Sequence, residues 1–233
     1  MASSGVAERF ADLSARITAA VRRAGRDPNT VTLVGAAKRQ EPERLSEAWA
    51  AGLRVFGENH VQEAEAHRQL LPAEAAFHLI GPLQSNKVRR AVAVCSTVHS
   101  VDREKIARLL DQEAGLQGRR LAVFFEVNLG HEDSKAGFPP EDLAAALAPL
   151  AELSHLDVRG LMAIPPPGPD AEASRPHFRR LAALARDLAA RPEWRGRFAA
   201  ELSMGMSDDF EVAVEEGAHF VRIGTALFGS RTS

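Results

Sequence analysis

Lysine is the rare cation of this chain. Only four of its 29 Lys+Arg residues are lysines, namely Lys38, Lys87, Lys105 and Lys135. A lysine amine can lose its proton and attack a carbonyl carbon to form a Schiff base, whereas an arginine guanidinium stays protonated. Lys38 directly follows the largely apolar run Val31–Ala37, which is typical of a buried strand. The sequence therefore predicts a reactive amine at the end of a buried strand.

A second group of chemically useful residues follows the last two predicted strands. The run Ser203-Met204-Gly205-Met206-Ser207 offers hydroxyls and a glycine ahead of a predicted helix that begins at Asp208, and Gly224-Thr225 offers a second glycine and hydroxyl. Loops of this composition bind phosphate, mainly through backbone N–H groups. We therefore expect a phosphate ligand here, provided that the carboxylates of Asp208 and Asp209 point away from it.

One arginine lies inside an apolar strand. Arg222 stands within Phe220-Val221-Arg222-Ile223, and a buried guanidinium needs a partner. That partner is either an acidic side chain in a structural salt bridge or a ligand. Phosphate, an amine placed for imine formation and an arginine together indicate pyridoxal 5′-phosphate, PLP. A phosphosugar isomerase is the alternative, with Glu58 or His78 as its base.

The elements that must position these residues alternate between short apolar runs and longer segments of helical period. The predicted strands are Val31–Ala37, Leu53–Phe56, Phe77–Ile80, Thr97–Val101, Leu121–Val127, Leu156–Ala163, Phe198–Ser203 and His219–Ile223. The predicted helices are Val6–Ala24, Glu43–Ala51, Val61–Leu70, Ser85–Ala93, Arg103–Ala114, Glu141–Leu153, Ser174–Ala190 and Asp208–Glu216. Alternation of this kind predicts parallel strands with helical crossovers.

Eight strands are the number that closes a (β/α)8 TIM barrel, so we predict an α/β fold in which residues 1–233 form a single barrel domain. Little chain remains after the eighth strand for a following helix, and the extra N-terminal helix is expected to cover that gap. An open doubly wound sheet is the alternative architecture. It is disfavoured because no G-x-G-x-x-G turn follows the first strand.

Composition excludes several classes of protein. The net charge is -2 and there is no basic tail, which disfavours a nucleic-acid partner. The single cysteine, Cys95, excludes a disulfide framework and a cysteine-based zinc site and fits a reducing compartment. No apolar stretch has the length of a membrane span, and the N-terminus lacks the apolar core of a signal peptide. These features predict a soluble, cytoplasmic protein without a metal.

Six motifs, in order along the chain, resemble the PLP homeostasis protein family, also called proline synthase co-transcribed proteins. They are Phe56-Gly57-Glu58-Asn59-His60-Val61-Gln62-Glu63; His78-Leu79-Ile80-Gly81-Pro82-Leu83-Gln84-Ser85-Asn86-Lys87; Asn128 with Ser134-Lys135-Ala136-Gly137; Gly160-Leu161-Met162-Ala163-Ile164-Pro165; Leu202-Ser203-Met204-Gly205-Met206-Ser207-Asp208-Asp209; and Val221-Arg222-Ile223-Gly224-Thr225. The resemblance runs from about Val31 to Gly229.

The resemblance implies a single-domain barrel like the N-terminal domain of alanine racemase, which binds PLP as a Schiff base on Lys38. Such a protein has no established turnover; it buffers or delivers PLP and influences amino-acid and keto-acid balance. The implied cofactor-binding residues are Asn59 beside the ring, His78 in the neighbouring strand, Arg222 at the pyridine nitrogen, and Ser203, Met204, Gly224 and Thr225 at the phosphate, with Ser207 assisting.

Two positions depart from the family pattern. Ala37 stands where a hydroxyl residue usually precedes the lysine, which alters how Lys38 is hydrogen-bonded. His60 stands where a tyrosine usually follows Gly-Glu-Asn. That tyrosine is then not essential for binding, unless His60 replaces it.

A catalytic role is disfavoured. A racemase with two bases needs a tyrosine opposite the lysine, and this chain has no tyrosine. A guanidinium donates but cannot accept a proton, so Arg222 would leave a facing pyridine nitrogen unprotonated and the ring a weaker electron sink. We therefore expect a monomeric, non-catalytic PLP carrier that releases PLP to external amines and delivers it to PLP-dependent apo-enzymes.

Three alternatives remain beside the carrier. They are a PLP-dependent racemase-like enzyme, the phosphosugar isomerase and, last, a scaffold for protein interaction. Lys87 and Lys135 follow the third and fifth strands, where they are candidates for transient capture of PLP, although a solvated charge is preferred for Lys87.

Overall fold

The strands form a closed parallel barrel in the computed structural model, which describes residues 5–130 and 136–229. They are β1 Thr32–Ala36, β2 Val55–Glu58, β3 Ala76–Leu79, β4 Thr97–Val101, β5 Leu121–Glu126, β6 Leu156–Met162, β7 Phe198–Ser203 and β8 Phe220–Ile223. Each strand pairs with the next along the chain, and β8 pairs with β1. This closure confirms the predicted (β/α)8 barrel, and the open doubly wound sheet is wrong.

Helices connect successive strands. The α-helices are α1 Val6–Arg23, α2 Pro42–Ala51, α3 Val61–Arg68, α4 Val88–Val94, α5 Glu104–Leu116, α6 Leu143–Leu147, α7 Arg175–Ala189, α8 Phe210–Glu215 and α9 Thr225–Phe228. Short 3-10 helices lie at Pro28–Thr30, Ser85–Lys87, Ala148–Leu150, Ala171–Ser174 and Pro192–Trp194. Among the helices of the described residues, none is both long and apolar enough to cross a membrane.

The N-terminal helix closes the outer layer, as predicted. Its apolar face buries Leu13, Ile17 and Val21, and it packs against α2, α8 and α9. The Nε of Arg9 donates to the carbonyl oxygen of Leu227 at 2.7 Å, which ties α1 to the segment after β8. No helix was predicted after β8, but the segment there forms the single helical turn α9.

The register of the closing pair sets the position of the expected site. Val34 of β1 pairs with Arg222 of β8, and Gly35 pairs with Ile223. Lys38 and Gly224 follow these pairs on adjacent strands, so both lie at the carboxyl end of the barrel. This is the end at which barrels of this kind carry their binding sites.

Strands β6 and β7 leave no room for a side chain at Gly160. A Cβ atom placed on Gly160 would lie 1.8 Å from the carbonyl oxygen of Glu201, far inside van der Waals contact. The register between these strands shifts nearby, and Ala200 has a φ of 58°, in the left-handed region. Glycine is therefore required at position 160 for the two strands to pair as they do.

Candidate functional site

Lys38 projects from a tight turn at the end of β1. The backbone N–H of Ala37 still donates to Gly57 of β2 at 2.9 Å, so the strand pairing ends one residue before the lysine. The N–H of Gln40 then donates to the carbonyl oxygen of Ala37 at 3.0 Å and closes the turn. Arg39 has a φ of 55°, in the left-handed region that non-glycine residues seldom occupy. This turn holds the partly exposed Lys38 at the mouth of the barrel.

A cavity of about 230 Å³ opens beside this lysine. It is lined by Ala36, Lys38, Gln40, Asn59, Gly224, Thr225 and Gly229. The lining comes from the ends of β1, β2 and β8, and it contains four of the nine residues expected to bind the cofactor. An amine, an amide and a hydroxyl thus face one small space, beside a glycine that leaves the backbone accessible.

Ser207 joins the loop after β7 to the loop after β8. Its hydroxyl oxygen accepts the backbone N–H of Ala226 at 3.3 Å, next to the cavity residues Gly224 and Thr225. Gly205 allows the chain to turn here, because it has a φ of 92° and a Cβ atom on it would lie 2.5 Å from the Cβ atom of Ala213. Ser207 therefore links the two loops in which the sequence predicts a phosphate site.

Asp209 does not direct its charge at this subsite. One carboxylate oxygen accepts the N–H of Met206 at 2.7 Å, and the other accepts the hydroxyl of Ser174 at 2.9 Å. The side chain is buried, and α8 begins at Phe210, two residues later than predicted. Both oxygens are therefore bound within the protein, and neither Asp208 nor Asp209 lines the cavity beside Lys38.

Ser203 and Met204 lie away from the cavity, although both were expected to hold phosphate. The hydroxyl of Ser203 is wholly buried and is bound to Arg222 and His99. The side chain of Met204 is also buried, and its N–H donates to the carbonyl oxygen of Phe220 at 3.1 Å. The backbone pairing of β7 with β8 thus extends one residue past the predicted strand end and uses the N–H of Met204, whereas the Ser203 hydroxyl is bound by side chains of the interior.

Arg222 lies inside the barrel, beneath the mouth. One terminal nitrogen donates to the hydroxyl oxygen of Ser203 at 2.6 Å, and the other donates to the carbonyl oxygen of Ala163 at 3.0 Å. Burial lowers the pKa of Arg222 to about 10, so the group stays charged at neutral pH. Within the described residues no carboxylate is hydrogen-bonded to it, so the structural salt bridge considered from the sequence is not found there.

His78 also lies in the barrel interior rather than in the cavity lining. Its Nδ1 atom lies 2.9 Å from the Nε2 atom of His99, and burial lowers the pKa of His78 to about 4. The Nδ1 atom of His99 lies 2.7 Å from the hydroxyl oxygen of Ser203. His99 was not predicted as a site residue, although a histidine within the apolar run Thr97–Val101 is a signal of the same kind as His78.

Glu126 is a second residue that sequence analysis missed. It ends β5, where it was taken for part of an apolar strand. Burial is the main cause that raises its pKa to about 7, the charge of Asp102 raises it further, and the charge of Arg222 opposes the rise. A carboxyl group that titrates near neutral pH thus lies close to the interior arginine.

Glu58 turns away from the mouth. One oxygen of its fully buried carboxylate lies 2.6 Å from Nδ1 of His67 in α3, and its other oxygen has no hydrogen-bond partner. Burial raises the pKa of Glu58, while the hydrogen bond to His67 lowers it. Because Glu58 contacts the helical layer and His78 is bound to His99 in the barrel interior, neither lines the cavity as the base of a phosphosugar isomerase.

The other lysines lie outside the cavity as far as the structure describes them. Lys87 lines a separate cavity of about 600 Å³ together with His60 and Arg103, at the loops after β2, β3 and β4. Lys105 is exposed in α5. Lys135 lies outside the described residues. Lys38 is therefore the lysine that the described structure combines with the other expected cofactor-binding groups.

Comparison with known proteins agrees with the fold. The family model described as "Alanine racemase, N-terminal domain" matches residues 10–232. A protein of Pseudomonas aeruginosa called "Pyridoxal phosphate homeostasis protein" is 45% identical over 229 residues, which cover 98% of this chain and 96% of that one. A protein of the same name from Aquifex aeolicus is 42% identical, with coverage of 96% and 97%.

Solved structures also support the barrel fold. PipY of Synechococcus elongatus, described as having PLP bound, superimposes with a TM-score of 0.82 at 39% identity, over 96% of this chain and 100% of that one. Alanine racemase of Clostridium difficile gives a TM-score of 0.66 at 15% identity over 95% of this chain and 57% of the larger protein, a likeness of fold alone. The fold and site thus define a barrel of the alanine racemase N-terminal type. Within that class, the chain belongs to the pyridoxal phosphate homeostasis protein family.

Proposed function

We propose that this protein binds PLP and acts in PLP homeostasis by holding the cofactor reversibly and delivering it. The observation that carries the proposal is the small cavity that brings Lys38 together with Asn59, Gly224 and Thr225. The relatives named for PLP homeostasis and the PLP-bound PipY support the same ligand. PLP is an aldehyde that supplies reversible imine chemistry when it is bound.

The residues of the cavity fit this ligand. The Nζ atom of Lys38 would attack the aldehyde carbon, so that a C=N bond forms and water leaves. Gly224 and Thr225, supported by Ser207, would bind the phosphate, and the amide of Asn59 would lie beside the ring. Ser203, Met204 and His78 are not included among the direct contacts, because their polar groups are bound within the interior. Arg222 also lies there but keeps N–H donors that its described contacts do not use.

The experiment is an absorption spectrum with added PLP, followed by borohydride reduction and peptide mass mapping. We expect a violet-region band and the added mass on Lys38, and both should be lost in Lys38→Arg, which keeps the charge but cannot form an imine. Lys105→Arg is the matched control, because Lys105 is exposed in α5 and should leave band and mass unchanged. Mass spread evenly over the four lysines would refute the proposal.

We also propose that the protein is a carrier without catalytic turnover. The absence of tyrosine from the chain removes the usual second base of a racemase, and Arg222 can only donate to a ring nitrogen that faces it. Incubation of the PLP-loaded protein with L-alanine should give no D-alanine, whereas free amines should discharge the violet band. Formation of D-alanine that disappears in Lys38→Arg would establish the racemase-like alternative instead.

Delivery, oligomeric state and location complete the proposal. The loaded protein should activate a PLP-dependent apo-enzyme when a phosphatase destroys free PLP. If the apo-enzyme is not activated, the protein stores PLP but does not deliver it. We also propose that the protein is a monomer, which sedimentation would test. We place the protein in the cytoplasm because its single cysteine is buried and reduced and fits a reducing compartment.

A further inference from the structure

Four buried polar side chains cross the barrel interior in a continuous hydrogen-bonded line. His78 of β3 contacts His99 of β4 at 2.9 Å, His99 contacts the hydroxyl of Ser203 in β7 at 2.7 Å, and Ser203 contacts Arg222 of β8 at 2.6 Å. Every member is at least nine-tenths buried, with exposures of 6%, 0%, 0% and 5%. We call this set the interior line.

The donors of the interior line run in one direction. The guanidinium of Arg222 must donate to the oxygen of Ser203, because it has no acceptor atom. If the Ser203 hydroxyl then donates to Nδ1 of His99, the Nε2–H of His99 donates to Nδ1 of His78 and every contact has one proton. The opposite tautomer would leave the proton of the wholly buried Ser203 hydroxyl without an acceptor, which is costly. The line therefore starts at Arg222 and ends at His78.

Both imidazoles are neutral in this arrangement. Burial lowers the pKa of His78 to about 4 and holds the pKa of His99 well below its usual range, and a proton on His78 or the charge of Arg222 would oppose protonation of His99 further. Phe124 stacks on the ring of His99 with centroids 4.6 Å apart, and Phe220 meets its edge at 5.5 Å. His99 is therefore held in place without carrying a charge.

The orientation of Arg222 thus depends on neutral acceptors. Glu126 and Asp209 are close enough for their charges to act on the guanidinium, but neither is hydrogen-bonded to it among the described contacts. Its two terminal nitrogens are tied to Ser203 and Ala163, which leaves further N–H donors of the fork uncommitted in those contacts. Side chains two residues apart share a face of a strand, so Arg222 lies on the face of β8 that continues to Gly224 of the cavity.

We propose that His99, acting through Ser203, is a positioning residue that fixes the direction of the Arg222 donors toward a ligand in the Lys38 cavity, with His78 completing the line. This inference rests on the proposed function for the identity of that ligand as PLP. It gives Ser203 a role different from the phosphate contact expected from the sequence. It also explains how a charged group is held in the interior without a bonded carboxylate.

The first test needs no PLP. In ¹⁵N NMR spectra of the apoprotein, His99 should show a protonated Nε2 and an unprotonated Nδ1, with no titration between pH 5 and 9. The guanidinium N–H signals of Arg222 should be resolved and slow to exchange in the wild type. They should be lost in Ser203→Ala and His99→Phe and be retained in Ser203→Thr. A protonated Nδ1 on His99, or guanidinium signals indifferent to Ser203→Ala, would overturn the inference.

The second test adds PLP. We expect Ser203→Ala and His99→Phe to weaken PLP binding about tenfold, the effect of one lost hydrogen bond of about 1.4 kcal/mol, and to shift the bound absorption band. Ser203→Thr should restore both. Phe124→Leu disturbs the same aromatic cluster without a hydrogen bond and should leave the band in place. Loss of stability in the first two variants with unchanged band and affinity would reduce the interior line to a structural role and refute positioning.

The two proposals can fail separately. If the wild type shows no PLP band while the NMR signals of His99 and Arg222 behave as expected, the proposed function is wrong and the positioning of the guanidinium is supported. If PLP binds on Lys38 but neither the band nor the guanidinium signals respond to Ser203→Ala, the positioning inference is wrong and the carrier function is untouched.

Discussion

At the scale of single residues, the ionisable groups in and around the barrel are buried in three different settings. Arg222 is bound by neutral acceptors, Glu58 is bound by His67, and Glu126 is influenced by charges at a distance. Burial disfavours the charged form in each case, and the neighbouring groups determine how far the pKa of each residue is shifted. We therefore expect the pH dependence of stability to arise from particular residues.

Glu126 should make the stability of the protein depend on pH in a mildly acidic interval. Its pKa rises from the ordinary 4.5 to about 7, so between these values the folded protein holds a proton that the unfolded chain has lost. The contribution to stability is therefore fully present below pH 4.5 and is lost as pH rises through about 7. Glu126→Gln should flatten this slope in urea unfolding measured at several pH values. Glu74→Gln, at an exposed position, should leave it unchanged, and a slope retained in Glu126→Gln would disprove the assignment.

His67 should be important for stability, because it is the hydrogen-bond partner of a fully buried carboxylate. Removing one member of a buried pair leaves the other uncompensated, so His67→Ala should cost about 3–5 kcal/mol of the free energy of unfolding. His67→Gln retains an N–H donor and should cost less. The hydrogen bond to Glu58 raises the pKa of His67, so the stabilisation should be lost as pH rises through that raised value. Equal losses in both variants would show that packing, not the pair, is responsible.

The cavity residues show what sequence can reveal at this scale. Lys38, Gly224 and Thr225 could be located because the carboxyl ends of parallel barrel strands converge on one mouth, and Asn59 through the family resemblance. The side chain of Ser203 could not, because its partner His99 lies 104 residues away in the chain. Partners at such separations are fixed by the closed barrel and leave no local pattern.

At the scale of elements, every predicted strand is present, with ends displaced by two residues or fewer. Short apolar runs between turn residues were sufficient for this. The helix predicted over Glu141–Leu153 is instead the short α6 followed by a 3-10 turn at Ala148–Leu150. Pro149 lies in that turn and cannot donate the N–H that a continued α-helix requires. The apolar periodicity of the segment concealed this interruption.

The contact between β6 and β7 should not tolerate a methyl group. In Gly160→Ala the new Cβ atom would meet the Glu201 carbonyl oxygen at 1.8 Å, and backbone cannot move aside as a flexible side chain can. We expect a loss of more than about 4 kcal/mol or failure to fold, which is the range of severe mutations. Gly5→Ala is the control, because nothing lies within 4 Å of its added atom. Thermal unfolding of both variants measures the difference, and a stable Gly160→Ala protein would contradict the described register.

At the scale of the whole molecule, ion pairs join helices that are distant in sequence. Arg23 of α1 binds Glu211 and Glu215 of α8, and Arg175 of α7 binds Glu215 and Glu216. Isolated surface pairs contribute little, but a network that shares its members contributes more. Three helices of the outer layer are thus held together by charge as well as by apolar packing.

Substitution of Arg175 is the sharpest test of this network. Its side chain is only 21% exposed, and it pairs with acidic residues on two elements. Arg175→Met keeps most of the apolar stem and should lower stability by about 1–2 kcal/mol. It should also weaken the dependence of stability on salt concentration, because screening acts on the lost pairs. Arg186→Met, at an exposed position of the same helix, should change neither quantity, and an unaltered salt dependence in Arg175→Met would exclude the network as its source.

The contact between α1 and the segment after β8 can form only when nearly all of the barrel has been synthesised. Arg9, near the start of the described chain, donates to carbonyl oxygens of α9, and α9 begins at the cavity residue Thr225. A growing chain therefore releases the first helix from the ribosome long before its binding partner exists. Lys38 likewise emerges about 180 residues ahead of β8, at a rate of roughly 5–20 residues per second. For that interval of many seconds the nascent chain exposes the lysine that we propose binds PLP, before β8 has supplied Gly224 and Thr225 to the cavity.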